Sequence, residues 1–439
     1  MSANQESTTE ITPSARRLTS SLRDIGYDTS SAVADLVDNS VSAGARRVDI
    51  EIVHHSVGSY LTIADDGRGM AAEGLDEAMR FGSQRNYGGR DLGKYGLGLK
   101  TASLSQCRRL TVITRTSQSR VVLRTRCLDL DHIERTDRWE VLNRLSDHDL
   151  AWAGAAADAL SRGPGTVVIW DRLDRLMRNS LVNPGAAKRR LRSVASALHS
   201  HLGMVFHRFI EGQAEALGGE SLTISINGEK VRPWNPFAED QVKTVRMPVR
   251  RFEVEGPAGP AEVTFRPFVL PAKSLFDSLD AFERMSGPRR WNRQQGLYVY
   301  RADRLVQGGG WAGMRSIDEH TKLARAAIEF GPELDDLFRV NVAKMRAILP
   351  TEVRQMVEPE VGALCKRAQA MYRKDQRTGS SPTVDATETE HAPLTDGGVA
   401  RLATGLISAA LATGRTNDLM AIIDHLRDSD PDLTRALGW

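Results

Sequence analysis

The stretch ADLVDNSVSAGARRVDIEI at positions 34–52 decides the fold, because the end of a helical pattern leads directly into a strand pattern. The apolar residues of the helical part recur with the spacing of one helix face: Val33, Leu36, Val37 and Val41. This spacing predicts an amphipathic helix over residues 31–41. Asp35 and Asn39 are four residues apart and therefore project from the same face of that helix. A carboxamide oxygen suits Mg²⁺ and a carboxylate can orient an attacking water, although a solvated polar pair on a surface helix has the same spacing.

Two runs rich in β-branched residues, 48–53 and 60–65, follow the helix and predict a pair of strands. The second run ends in DDGRGM, which begins at Asp65. A carboxylate is thus presented at a strand end, and Gly67 and Gly69 allow the backbone to approach a ligand closely. A tight hairpin turn has the same composition. The runs at 109–116 and 121–127 predict another pair of strands, and 163–173 predicts a turn followed by a buried strand.

A glycine-rich loop, GKYGLGLKT at 93–101, runs into an apparent helix. Backbone N–H groups at such a helix start form a phosphate cradle, and Lys94 and Lys100 add positive charge. The run 88–94 also fits the spacing of a P-loop. However, Tyr95 stands where that loop has a magnesium-binding hydroxyl, and a helical pattern rather than a strand precedes it. We therefore exclude a P-loop.

The composition is typical of a folded, multidomain protein. Of the 439 residues, 41% are hydrophobic and 26% are charged, and the formal net charge is only +3. No apolar run approaches the about 18 residues of a membrane-spanning helix, and the polar N-terminus lacks a signal-peptide pattern, so we expect a cytoplasmic protein. Cys107, Cys127 and Cys365 are far apart, which indicates packing residues rather than a disulfide framework or a zinc site.

Shifts in composition divide the chain into five regions. We expect a flexible N-terminal arm at 1–20, a nucleotide-binding domain at 21–214, a second domain at 215–373, a disordered linker at 374–399 and a small helical tail at 400–439. The second domain is expected to open with a strand at 221–228 and to be mostly helical from 333 to 373. The linker has almost no apolar residues and cannot bury enough surface to fold.

In this order, the motifs resemble those of the GHKL superfamily of ATPases. The first motif is similar to that of MutL, whereas MRFGSQRN followed by GKYGLGLKTASLS resembles MORC ATPases, and Gly165-Thr166 matches the fourth motif. The resemblance is dense over residues 20–175 and weaker over residues 215–350. It implies an α+β protein, in which a GHKL (Bergerat) α/β sandwich is followed by a ribosomal-protein-S5-like transducer domain.

The resemblance also implies roles for individual residues. Asp35 aligns with the general base, Asn39 with the Mg²⁺ ligand, and Asp65 with the acid that accepts a hydrogen bond from the adenine amino group of ATP. The adenine pocket would be lined by Gly67, Gly69 and Met70, with Thr166 supporting Asp65 through water. The lid over the phosphates would consist of Gly93, Lys94, Tyr95, Gly96, Leu97, Gly98, Leu99 and Lys100.

A second catalytic candidate is Lys344. VNVAK at 340–344 resembles the transducer loop that sends a lysine to the γ-phosphate, where a cation stabilises the charge that develops during phosphoryl transfer. An ordinary surface lysine is the alternative. Most of these families have Glu where this chain has Asp35, and a positional error of about 1 Å can lower a rate about a hundredfold. We therefore expect slow turnover.

The expected function is a homodimeric gate or clamp that closes on ATP and acts on DNA in defence, restriction or repair, with a nuclease or helicase as a possible partner. Basic residues of the second domain are expected to contact DNA phosphates: Arg250, Arg251, Arg289, Arg290 and Arg293, with Trp291 among them. A solvated loop around one buried Trp fits the same residues. The alternative function is a heat-shock-chaperone-like protein clamp.

Two other classes are disfavoured. A sensor-kinase-like protein would have a phospho-accepting His before the first motif, and none of the 34 residues before Asp35 is His. A repair endonuclease is not expected, because the last forty or so residues contain no Cys and no cluster of metal ligands.

Overall fold

The fold is that of a computed structural model, which describes residues 9, 11–24, 26–54, 58–82, 96–117, 123–144, 150–177, 184–257, 259–341, 344, 347–379, 416–429 and 434. The chain divides into two compact units, Met1–Gly379 and Ser380–Trp439. The first unit contains two sheets, each with its own hydrophobic core. In the described part of the chain, no helix is both long and apolar enough to cross a membrane.

The helices of the first unit are α1 (Ala15–Leu22), α2 (Thr29–Ser42), α3 (Ala72–Met79), α4 (Gly98–Leu104), α5 (Leu130–Thr136), α6 (Leu150–Ser161), α7 (Pro184–Val205), α8 (His207–Ile210), α9 (Leu279–Met285), α10 (Arg290–Gln294) and α11 (Thr351–Gly379). The strands are β1 (Arg47–Val53), β2 (Tyr60–Asp65), β3 (Arg109–Arg115), β4 (Arg124–Asp129), β5 (Gly165–Asp171), β6 (Thr223–Ile226), β7 (Glu229–Lys230), β8 (Val245–Arg246), β9 (Arg250–Gly256), β10 (Gly259–Val269), β11 (Gly296–Arg301), β12 (Arg304–Gly308) and β13 (Ala324–Phe330). In the second unit, α12 is Thr416–Ser429.

The first sheet has the strand order β4-β3-β5-β2-β1-β6-β7. Neighbouring strands are antiparallel except β1 and β6, which are parallel. Successive side chains of a strand point to opposite faces. On β5, Val168 and Trp170 accordingly join the main core with α2 and α7, whereas Val167 and Ile169 pack against α6 on the other face. The expected pairs of strands at 48–53 with 60–65 and at 109–116 with 121–127 are confirmed as β1–β2 and β3–β4.

The second sheet has the strand order β12-β11-β13-β10-β8, and β9 also pairs with β10. It is mixed, because β11 and β13 run parallel while the other pairs are antiparallel. Helix α11 covers this sheet with residues three or four apart, as expected for one helix face: Val353, Val357, Val361 and Leu364. The chain is thus an α+β protein with a second, mixed-sheet domain.

The structure corrects the expected N-terminal arm. Residues 15–20, which we expected to be flexible, belong to α1. Ala15 is fully buried, and the Ser14 hydroxyl donates a hydrogen bond to Asp137 Oδ1 at 2.8 Å. The side chain of Ser14 also accepts a hydrogen bond from the backbone N–H of Arg17, so it caps the helix.

Three further segments differ from the expectation. The strand at 221–228 lies in the first sheet, because β6 pairs with β1, so this sheet extends past residue 214. The segment 333–373 was expected to be mostly helical, but α11 begins only at Thr351, and a short 3-10 turn lies at Pro332–Leu334. Pro350 directly precedes α11, where a proline without a backbone N–H is tolerated. Helix α11 also includes residues 374–379 of the expected linker, and residues 380–415 lie outside the described part of the chain.

Candidate active site

Helix α2 carries two buried carboxylates. It begins after Asp28, whose side chain accepts a hydrogen bond from the backbone N–H of Ser31 at 3.0 Å. Asp35 is 2% exposed and Asp38 is fully buried, whereas Asn39 is exposed. Burying a carboxylate is costly unless charges or hydrogen-bond donors compensate it. Partners must therefore face α2 at these two positions.

Lys344 from the second domain supplies the compensating charge. Its Nζ lies 2.7 Å from Asp35 Oδ1 and 2.8 Å from Asp38 Oδ2. The Tyr27 hydroxyl donates a hydrogen bond to Asp35 Oδ2 at 2.7 Å. The structure thus brings Asp35 and Lys344 together, and both oxygens of Asp35 have a donor.

Burial and the charges in this cluster shift the pKa of Lys344 and that of Tyr27. Burial lowers the pKa of Lys344, but the negative charges of Asp35 and Asp38 outweigh it, so the pKa is raised overall. Burial, followed by the charge of Asp35, raises the pKa of Tyr27. At neutral pH, Lys344 is therefore charged and Tyr27 remains a neutral donor.

Arg304 completes the cluster, and the sequence analysis missed it. Its Nε donates to Asp38 Oδ1 at 2.8 Å, and its Nη1 donates to the backbone carbonyl of Lys344 at 3.0 Å. The residue is 2% exposed. It lies at the start of β12 in the turn-like sequence RADRLV, and no local motif distinguishes it from a surface arginine.

Asp65 lies at the end of β2, where it pairs in the sheet with Thr166 of β5. Its carboxylate accepts hydrogen bonds from the backbone N–H of Gly67 at 2.9 Å and from the Ser40 hydroxyl at 3.0 Å. Burial raises the pKa of Asp65 to about 6, although these hydrogen bonds oppose the shift. The carboxylate therefore has unusual affinity for a proton.

Helix α2 connects the two carboxylate sites. Ser40, which contacts Asp65, follows Asp35 by five residues, or about 7.5 Å along the helix axis. Asp65, at the end of β2, thus contacts the same helix that carries Asp35.

A pair of threonines supports this strand end. The hydroxyls of Thr114 and Thr166 are 3.2 Å apart, and Thr114 also accepts from the backbone N–H of Met70 at 2.9 Å and donates to the carbonyl of Gly165 at 2.9 Å. Thr114 was not among the residues that the sequence motifs indicated. The signal in the sequence was that Thr114 is a polar residue within the strand pattern RLTVITR. The structure places it directly opposite Thr166 in the register of β3 and β5.

Two glycines after Asp65 are required by close packing. A Cβ at Gly69 would lie 1.9 Å from the carbonyl oxygen of Arg115, and its φ of 67° is left-handed. A Cβ at Gly67 would lie 2.8 Å from the Cβ of Ala43 and 2.9 Å from Asp65 Oδ1. Only glycine fits either position in this arrangement.

The predicted lid is described in part. Gly93, Lys94 and Tyr95 lie outside the described residues. Gly96 has a φ of 60°, Leu97 precedes α4, and Leu99 packs against the main core. Gly98 begins α4, and a Cβ there would lie 3.0 Å from Asp35 Oδ2, so the end of the lid is directly beside the candidate base.

Lys100 is turned into the protein. It is 2% exposed, and its Nζ donates to the backbone carbonyls of Ala78, at 2.9 Å, and Gly96. Burial lowers the pKa of Lys100 to about 8. In this arrangement the ammonium group ties the lid to the end of α3 instead of projecting toward solvent.

The donor set around Asn39 suits a hard cation only in part. Its carboxamide is exposed one turn after Asp35. Within the described ranges, no group of three or more His, Cys, Asp or Glu side chains is arranged to hold a metal ion. A Mg²⁺ ion held by Asn39 therefore needs phosphate oxygens and waters as its remaining ligands, which is usual for Mg²⁺.

Comparisons with known proteins find similarity in the first part of the chain. Residues 27–152 match the family model of histidine kinase-, DNA gyrase B-, and HSP90-like ATPases. The chain is 36% identical over 85 residues to ATPase morc-1 of Caenorhabditis elegans, over 19% of this chain and 10% of that protein. It is 36% identical over 94 residues to the DNA mismatch repair protein MutL of Pseudomonas paraeruginosa, over 20% of this chain and 15% of that protein. The chain thus matches only a small part of each relative.

Proposed function

We propose that this chain, which carries a GHKL-type ATPase domain with distant relatives among MORC and MutL proteins, binds ATP with Mg²⁺ and hydrolyses it slowly. The observation that supports this most strongly is the contact of Lys344 with Asp35 on the helix that also reaches Asp65. We propose that one ATP molecule lies along a path from Asp65, which recognises the purine, to Asp35 as the base and Lys344 as the cation.

The Asp65 end of the path recognises adenine. Its carboxylate accepts a hydrogen bond from the adenine amino group, and Gly67, Gly69 and Met70 line the pocket. Thr166 supports the carboxylate from the neighbouring strand. A purine with an oxygen in place of the amino group presents no donor there, so the site favours adenine over guanine.

The Asp35 end performs the chemistry. Asp35 takes a proton from the water that attacks the γ-phosphorus, the bond to the β-phosphate oxygen breaks, and ADP leaves. Lys344 stabilises the charge on the γ-phosphate, and residues 93–100 close over the phosphates. Asn39 would hold a Mg²⁺ ion, which would neutralise phosphate charge.

Two features support slow turnover. Asp35 is one methylene shorter than Glu, so its carboxylate reaches less far toward the water. Both of its oxygens already have donors, Lys344 and Tyr27. Lys344 must therefore move from Asp35 to the γ-phosphate before Asp35 can act as a base.

Phosphate release from ATP tests this proposal. Asp35→Asn should bind ATP but lose most of the turnover, because a base acts in the transition state rather than on the bound ground state. Asp158→Asn, on the exposed face of α6, is a matched control that should keep wild-type turnover. Wild-type turnover in Asp35→Asn would remove Asp35 from the reaction.

The second domain is proposed to be a ribosomal-protein-S5-like transducer, and ATP to close a homodimer around DNA. The contact of Lys344 with α2 supports the coupling of nucleotide binding to this domain. The charge expected to face DNA is reduced, because Arg250 pairs with Glu360 at 2.9 Å and Arg251 lies 3.5 Å from Glu262. Arg290 and Arg293 are exposed and remain the best candidates for phosphate contacts.

Because Arg250 and Arg251 lie beside glutamates, less positive charge is available for DNA, and this favours a second candidate, a chaperone-like clamp that closes on protein. Trp291 stacks on Phe282 with ring centroids 4.5 Å apart, so one face of its indole is occupied within the domain. In either case, cutting or unwinding of DNA would be supplied by a partner nuclease or helicase, and a role in defence, restriction or repair is part of the DNA proposal.

A further inference from the structure

We propose that Arg304 is a positioning residue that holds Lys344 at the nucleotide site, with Asp38 as the acid that joins the two cations. This inference rests on the proposed function, because it assigns the residue that makes Lys344 available to the γ-phosphate. Arg304 belongs to β12 of the second sheet and Asp38 to α2 of the first domain. The contact between them is therefore a direct link between the two domains.

Arg304 contacts both the side chain of Asp38 and main-chain carbonyls. Its Nε donates to Asp38 Oδ1 at 2.8 Å, while its Nη1 donates to the carbonyl of Lys344 at 3.0 Å and to that of Leu305 at 3.3 Å. The planar guanidinium presents these donors in a fixed geometry, which an ammonium group does not reproduce. Arg304 thus fixes where the main chain of Lys344 lies relative to α2.

Lys344 requires such support. Its φ of 47° is in the left-handed region, which a residue with a β-carbon adopts only when its surroundings hold it there. Its backbone N–H donates to the carbonyl of Asn341. The hydrogen bond from Arg304 to its carbonyl is a further contact that holds the main chain of Lys344 beside α2.

Asp38 allows Lys344 to leave Asp35 without disrupting the cluster. One oxygen of Asp38 contacts Arg304 and the other contacts Lys344. When Lys344 moves its ammonium group to a γ-phosphate, Asp38 keeps the charge of Arg304 beside it. The main chain of Lys344 then stays in place, and only its side chain needs to move. The cluster therefore favours a nucleotide with a third phosphate.

The ratio of ATP affinity to ADP affinity, measured by calorimetry, tests this inference. Lys344→Ala should lower the ratio about tenfold or more, the size expected for losing a hydrogen bond to a charged group. Arg304→Gln should lower it by a similar factor. The double variant should be within about twofold of Lys344→Ala alone, because two residues that act as a unit are not additive.

Arg325→Gln is the matched control for loss of a buried arginine. Arg325 is fully buried in the second domain and donates to the carbonyls of Pro236 and Met285, away from Lys344. It should leave the ratio unchanged even where it lowers the melting temperature. If Arg304→Gln does not fold, Asp38→Asn takes its place, with the same expected loss.

The outcomes separate this inference from the proposed function. The positioning role is overturned if Lys344→Ala lowers the ratio of ATP to ADP affinity while Arg304→Gln keeps the wild-type ratio. Where Asp38→Asn replaces Arg304→Gln, the same criterion applies to it. The ATPase proposal then remains intact. An unchanged ratio in Lys344→Ala contradicts the proposed role of the lysine itself. Additive losses in the double variant would show that Arg304 acts by another route.

Discussion

Replacing Asp65 by Asn should stabilise the folded chain and weaken ATP binding at the same time. The pKa of Asp65 is raised from 3.8 to about 6, so the folded chain holds the proton more tightly than the unfolded chain. For an acid with a raised folded pKa, stability is fully present below the unfolded value and falls as pH rises through the folded value. At pH 7.5 the charged, buried form of Asp65 therefore costs stability.

The size of the effect follows from the shift. Raising the pKa from 3.8 to about 6 corresponds to about 3 kcal/mol, and we expect about 1–3 kcal/mol because solvent screens part of the charge of this incompletely buried residue. Asn fits the site, since its Oδ1 can accept a hydrogen bond from the backbone N–H of Gly67. Its Nδ2 can donate to the Ser40 hydroxyl, because that hydroxyl can in turn donate to the carbonyl of Leu36. The adenine amino group, however, would face a second donor, at a cost of about 1–3 kcal/mol of binding.

Denaturant melts at pH 7.5 and pH 4.5, with ATP calorimetry at pH 7.5, measure both effects. Asp65→Asn should be more stable than wild type at pH 7.5, with the gain shrinking toward pH 4.5, and should bind ATP at least several-fold more weakly. Asp66→Asn is the matched control, because its Oδ1 accepts backbone N–H groups of Arg46 and Arg47 and an amide oxygen can do the same. Unchanged ATP affinity in Asp65→Asn, or a loss of stability at pH 7.5, would refute the reasoning.

Three further predictions concern the adenine pocket, dimerisation and DNA binding. Gly69→Ala should lower the melting temperature and ATP affinity, because its Cβ would overlap a backbone carbonyl, whereas Gly74→Ala in α3 has room for its Cβ and should gain about 0.5–1 kcal/mol. Light scattering with a non-hydrolysable ATP analogue should show a doubled mass, and a monomer at saturating analogue contradicts the gate. In DNA titrations, Arg290→Gln with Arg293→Gln should reduce the slope of log affinity against log salt by about 0.9 per lost contact, whereas Arg250→Gln, already paired with Glu360, should not. A protein clamp would show no affinity beyond the non-specific range.

Local patterns predicted the elements that form the site. The helix containing Asp35 and the strand ending at Asp65 follow from apolar spacing, and the structure has both, as α2 and β2. These patterns are informative because apolar side chains of both elements pack into the main hydrophobic core. Apolar spacing did not identify Lys344, because its segment has no strong periodicity. Only the family resemblance pointed to this residue.

The residues that sequence reasoning missed make their contacts over long chain separations. Arg304 meets a carboxylate on α2, and Thr114 meets Thr166 across two strands. Lys100 differs in another way, since its position in a glycine-rich loop predicts a phosphate contact, whereas in this structure its ammonium group donates to the partly buried carbonyls of Ala78 and Gly96. Side-chain direction depends on tertiary packing, which spacing along the chain does not contain.

A structure of the chain with a non-hydrolysable ATP analogue and Mg²⁺ tests the central claim most directly, namely that Asp65, Asp35 and Lys344 serve one nucleotide. The account predicts the adenine amino group within about 3 Å of the Asp65 carboxylate. It also predicts the Nζ of Lys344 on the γ-phosphate, with Arg304 still bonded to Asp38 and to the carbonyl of Lys344. Adenine bound away from Asp65, or Lys344 still paired with Asp35 while a γ-phosphate is bound elsewhere, would contradict it.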